Sequence, residues 1–86
     1  MNSQEMNIEF VRLLNEWDPF LIGEGNYDTE IADSLQALLD LELEKDLANA
    51  IQAIYEFSFD ESIPITSCLA ISKKLMAVKH SGTCSF

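Results

Sequence analysis

Eighty-six residues, 48% of them apolar, are enough for one compact core but too few for two domains. Fifteen acids against five Lys and Arg give a net charge of −10, which repels phosphate backbones and anionic lipid surfaces, so nucleic-acid and membrane-surface binding are both set aside. No basic start leads into an apolar run, and no apolar stretch approaches the roughly 20 residues that cross a bilayer; the expected location is the cytoplasm.

The charge is uneven. Residues 1–61 hold all fifteen acids with only Arg12 and Lys45, a net of −13, whereas residues 62–86 hold Lys73, Lys74 and Lys79, a net of +3. The final segment is electrostatically matched to the rest.

An α-helix advances about 100° per residue, so apolar positions can be tested for a shared face. In the first segment Met6, Phe10, Leu13, Leu14 and Trp17 share a stripe that excludes Glu5, Glu9, Arg12 and Glu16, predicting a helix over about 4–16. Asp18-Pro19 ends it, since the residue before a proline is pushed out of the helical region and proline donates no amide.

The stretch that follows, NEWDPFLIGEGNYDTE, Asn15 to Glu30, holds the sole Trp, one of two Pro and two of three Gly. Pro19, Gly23, Gly25 and Asp28 read as a structural turn, with the glycines supplying positive φ. Trp17, Phe20 and Tyr27 read as anchors that clamp this loop to the core, and alternatively as an aromatic patch that grips a partner. Asp18 is expected to accept a hydrogen bond from a nearby backbone amide, and counts with these aromatics among the possible partner contacts.

Two binding motifs fail here. An EF-hand counted from Asp18 has Gly23 at position six, but Phe20 and Ile22 fall at positions three and five and Thr29 at position twelve, where oxygen ligands are needed. Gly23-Glu24-Gly25 is too short for a phosphate loop, and no strand precedes it.

A second helix is predicted over 28–40, with Asp28 placed to cap free amides and Ile31, Leu35, Leu38 and Leu39 as its apolar face. A third, over 43–58, carries Leu47, Ile51, Ile54 and Tyr55, with Ala50 beside them. Neither Gly nor Pro separates the two, but one straight helix would leave their stripes roughly 145° apart, so a break is placed near Leu41–Leu43. The acids Glu42, Glu44 and Asp46 then suit a new N-terminus. The run Ile54 to Phe59 puts Tyr55, Phe57 and Phe59 together, more aromatic surface than one stripe hides; these three are expected to pack in the core or to contact a partner.

Pro64 opens a fourth helix over 64–78, with Ile65, Cys68, Leu69, Ser72, Leu75 and Met76 as its stripe and Lys73, Lys74 and Lys79 near its C-terminal dipole. From His80 the composition is turn-forming and aperiodic. The prediction is therefore an all-α protein, a compact antiparallel four-helix arrangement within a single domain over 1–79, followed by a flexible tail over 80–86.

Catalytic and metal patterns are sparse. His80 has no evident orienting carboxylate, Cys68 and Cys84 read as free thiols, and one His with two Cys leaves a zinc set incomplete. No enzyme activity, cofactor or metal is expected. Clustered acids leave a looser metal site of Asp18, Glu24, Asp28 and Glu30 as an alternative, and a toxin-neutralising immunity protein or nucleic-acid mimic as another. The leading expectation is a non-enzymatic interaction or regulatory module whose partner is another protein or a second copy of itself.

Four segments in order, WDPF, GEGNYDTEIAD, IQAIYEFSF and the following IP, resemble the YugE-like family of small, uncharacterised proteins from Bacillus-type bacteria. The resemblance runs from about Glu5 to Val78. Its most specific portion is Trp17-Asp18-Pro19 with Gly23, Gly25, Tyr27, Asp28 and Glu30, fixed identities at irregular spacing. It implies a small helical cytosolic protein and assigns no reaction.

Overall fold

A computed structural model describes residues 3–23 and 25–84. The chain forms four helices: α1 (Ser3–Trp17), α2 (Asp28–Asp40), α3 (Glu44–Phe59) and α4 (Ile65–Cys84). No strand occurs among the described residues. Each helix packs on its neighbours in sequence, and α4 closes the ring by packing on α1 as well as α3. Trp17, at the end of α1, meets Tyr55 near the end of α3, while Lys79, near the end of α4, meets the end of α2. Successive helices therefore run antiparallel, as the short connections require.

The break between α2 and α3 falls at Leu41–Leu43. Leu41 and Leu43 are both extended, with ψ of 144° and 134°, and this re-phases the chain so that Leu38 and Leu47 point into one core. Phe10, Leu14, Tyr27, Ile31, Leu38, Leu47, Ile51, Tyr55, Cys68 and Leu75 lie at its centre, buried. Cys68 is a free thiol. At the end of α3, Asp60 takes the left-handed conformation (φ 55°) and donates its amide to Glu56 O at 2.8 Å, a common helix stop.

Several details differ from expectation. The α2 N-cap is Tyr27, with no side-chain cap, and Asp28 is the first helical residue; its charge, with that of Glu30, still sits in the favourable first turn. Leu39 is 67% exposed, whereas Ser34 is buried. Leu39 lies about 80° from Ile31 on the helical wheel and Ser34 about 60° to the other side, so α2 is rolled toward Tyr27, which is wholly buried.

On α4, Ile71 is buried and Ile65 partly exposed. A helix that faces two neighbours buries a wide arc, and Ile71 falls within it. That helix also continues to Cys84, six residues past the predicted end, so 80–84 are helical; residues 85 and 86 lie outside the described residues. Lys73 and Lys74 consequently sit in mid-helix, with no basic residue in the last turn.

Lys79 serves a different dipole. Its ammonium donates to the carbonyls of Leu38 (2.6 Å) and Leu41 (3.0 Å) and to Glu42 Oε1 (3.2 Å). Its side chain is only 12% exposed. A cation from α4 thus satisfies the orphan acceptors at the C-terminus of α2.

Candidate functional site

The loop between α1 and α2 is built around Asp18. A turn from Asp18 to Leu21, with Pro19 at its second position, closes through Leu21 N–H to Asp18 O at 3.1 Å. The Asp18 carboxylate accepts the amides of Ile22 (3.0 Å) and Gly23 (3.1 Å) and the hydroxyl of Tyr27 (2.6 Å). The Tyr27 oxygen in turn accepts Phe20 N–H at 3.1 Å. These donors, the Tyr27 hydroxyl foremost, hold the Asp18 carboxyl below the usual carboxylate range, against a smaller opposing effect of burial. Burial and then the facing Asp18 push the Tyr27 hydroxyl up.

The rest of the loop is equally closed. Asn26 Nδ2 donates to Ile22 O (2.7 Å) and Gly23 O (3.2 Å), and Gly25 N–H donates to Asn15 Oδ1 at 3.3 Å. Gly23 and Gly25 have φ of 93° and 89°, as a glycine-dependent reversal requires. Asp18 (φ 36°) and Leu21 (φ 57°) also enter the left-handed region, where a leucine is uncommon.

The aromatic anchors meet beneath this loop. Trp17 sits edge-on to Tyr55, with centroids 5.2 Å apart, Tyr27 lies 5.6 Å from Tyr55, and Phe20 lies 4.9 Å from Phe59. Tyr27 and Tyr55 are wholly buried, so neither ring has surface to offer a partner, while Trp17, Phe20 and Phe59 are partly buried against the core. Phe57 is the exception at 92% exposed. On α3 it lies about 200° from Tyr55, hence outside the stripe that holds Tyr55 and Phe59.

Beside the loop runs the α3–α4 connection, clamped by α3 at both backbone groups of Ile63. Gln52 Nε2 donates to Ile63 O at 2.8 Å, and Ile63 N–H donates to Glu56 Oε2 at 3.2 Å. Two open clefts of about 380 Å³ flank this connection and meet at Ser62. Trp17, Asp18, Pro19, Leu21, Ile63, Pro64 and Ser67 line the first with Ser62, and Ala53, Glu56, Phe57, Asp60 and Glu61 line the second. Leu21 stands 87% exposed at the edge of the first cleft. Nothing in its helical periodicity marks it, because it lies in no helix; the only signal in the sequence is an apolar pair, Leu21-Ile22, inside a Pro/Gly turn.

The residues considered for chemistry are dispersed. Among the described residues, no three of His, Cys, Asp and Glu gather as a metal would need. Asp18 is committed to the turn, Glu30 is buried on α2, and Glu24 lies outside the described residues. His80 does have a carboxylate nearby, with Nε2 3.9 Å from Glu42 Oε2, but it lies twelve residues along α4 from Cys68, about 18 Å by helical rise. Burial, with Glu56 nearby, pushes the Cys68 thiol up to about 11, which suppresses the thiolate at neutral pH. No described helix is long and apolar enough to cross a membrane.

The fold and its surface define an acidic, all-α four-helix protein in which a hydrogen-bonded turn borders a pair of open clefts. The chain belongs to the DUF1871 family, a domain of unknown function, which matches residues 9–85. It is 39% identical over 77 residues to the uncharacterized protein YugE of Bacillus subtilis strain 168, spanning 90% of each chain. A crystal structure of a Bacillus stearothermophilus protein is similar at 40% identity with a TM-score of 0.90, covering 93% of this chain and 99% of that one.

Proposed function

We propose that the protein is a non-enzymatic interaction or regulatory module of the cytoplasm, binding another protein or a second copy of itself. The observation that carries this reading is the exposure of large apolar side chains on a chain whose core is otherwise closed: Leu21 at 87% and Phe57 at 92%. Scattered single apolar residues are ordinary on a surface, but two nearly naked ones lining clefts that share Ser62 support a reading as a contact face. The free, buried thiol of Cys68 supports a reducing compartment.

Affinity capture of the full chain from its native host after in-cell cross-linking, read by mass spectrometry, tests the reading. A reproducible cross-linked partner, or a cross-linked copy of the chain itself, is the expected result. Capture of neither would overturn it.

A further inference from the structure

The two clefts that meet at Ser62 combine exposed apolar side chains with carboxylates. The first carries Trp17, Pro19, Leu21 and Pro64 beside the polar Asp18, Ser62 and Ser67. The other presents Phe57 among Glu56, Asp60 and Glu61. With Asp18, four carboxylates line the pair of clefts, and no Lys, Arg or His does. The floor does not yield easily, because Gln52 and Glu56 fix Ile63 and the Asp18 turn fixes the opposite bank.

An open groove of this charge excludes most occupants. An anionic ligand would meet only repulsion. A second copy docked face to face would oppose the same carboxylates to themselves, since a two-fold contact is self-complementary. What fits is a chain carrying positive charge beside an aliphatic group, because a guanidinium can stack on an exposed ring while carboxylates take its donors.

We infer that these joined clefts dock a basic peptide segment of another protein, an arginine lying on Phe57 among Glu56, Asp60 and Glu61 and a neighbouring aliphatic side chain lying against Leu21, Pro19 and Pro64. This rests on the interaction reading above and narrows it to one face and one partner chemistry. Burying the Phe57 ring and Leu21 supplies the apolar contact, and the surrounding acids select for a cation and against an anion.

The test uses the full chain and a short fluorescein-labelled, terminally blocked peptide that alternates arginine with leucine. Two control peptides replace arginine by glutamate, or leucine by serine. Fluorescence anisotropy should show saturable binding of the arginine–leucine peptide alone. Phe57→Gln and Leu21→Asn should each weaken it roughly five-fold, and Glu61→Lys by at least as much. All three positions are exposed, and asparagine tolerates the left-handed backbone at 21, so unchanged helical circular dichroism is expected.

Asp40→Lys makes the same charge change at the end of α2, across the bundle, and should leave binding within about two-fold. Equal losses from Asp40→Lys and Glu61→Lys, equal binding of the arginine–serine peptide, or indifference to Phe57→Gln and Leu21→Asn would each overturn the inference. So would sedimentation showing that Phe57→Gln abolishes self-association, which would make a second copy the occupant. Repeating the host capture with the Phe57→Gln, Leu21→Asn double variant separates the two levels. Loss of the partner supports this face; retention removes the face while leaving the interaction reading intact.

Discussion

Asp18 shows how much one side chain settles in a connection of this kind. Its role as an amide acceptor is legible from the Asp-Pro step, but its hydroxyl partner is not, because Tyr27 returns to it across nine residues only once both glycines have turned the chain. The depressed carboxyl fixes the sign of a pH effect: its contribution to stability is present above the unfolded value, near pH 4, and is lost as pH falls through the lower folded one. Denaturant midpoints of Asp18→Asn should therefore lie below those of the native chain at pH 7, with the gap shrinking below about pH 4. Tyr27→Phe removes the donor to Asp18 and strands the Phe20 amide, and should cost about 1–3 kcal/mol by chemical denaturation. At Gly25 no atom lies within 4 Å of an added Cβ, so the loss in Gly25→Val, about 1–3 kcal/mol, would come from its φ of 89° alone; unchanged stability would show that the reversal does not depend on glycine there.

For the helices, periodicity reveals what single residues do not. Apolar stripes place all four, and the phase slip between Leu38 and Leu47 exposes a break that no Gly or Pro marks. Periodicity does not say how far each helix is rolled about its axis. That depends on neighbours, and it is why Leu39 faces out and Ile71 faces in. Nor could it find the end of α4, since a Ser-Gly-Thr run has no stripe and yet continues a helix already sixteen residues long, Ile65 to His80, before it. The capping of α2 by Lys79, 41 residues from Leu38, has no local signature at all. Lys79→Met keeps the length of the side chain and removes the ammonium, so two carbonyls lose their donor. It should destabilise the chain by about 1–3 kcal/mol, and hydrogen exchange should quicken first in the last turn of α2.

Across the molecule, charge and packing act in opposite directions. A net −10 on a globule of 12.2 Å radius of gyration repels itself, and Arg12, paired with Glu9 and Glu16 on the exposed face of α1, relieves this only locally. Raising NaCl from about 50 to 500 mM should therefore raise Tm at pH 7; a fall would mean that the ion pairs outweigh the repulsion. The class of fold was readable because burial in so small a chain must be periodic. The surface beside the first loop was readable only in fragments: Phe57 as part of an aromatic run too large for one stripe, Leu21 only as half of an apolar pair in a Pro/Gly turn, and the clefts not before α3 and the first loop had met.

The place of α4 in the ring has a consequence for biosynthesis. It brings Cys68, Ile71, Leu75 and Met76 to the core and touches both the first helix and the third. A nascent chain that has emerged only through residue 60 thus displays half-finished surfaces and a second helix whose carbonyls await a lysine still to be translated. The ring of helices can close only once α4 has joined the first and the third.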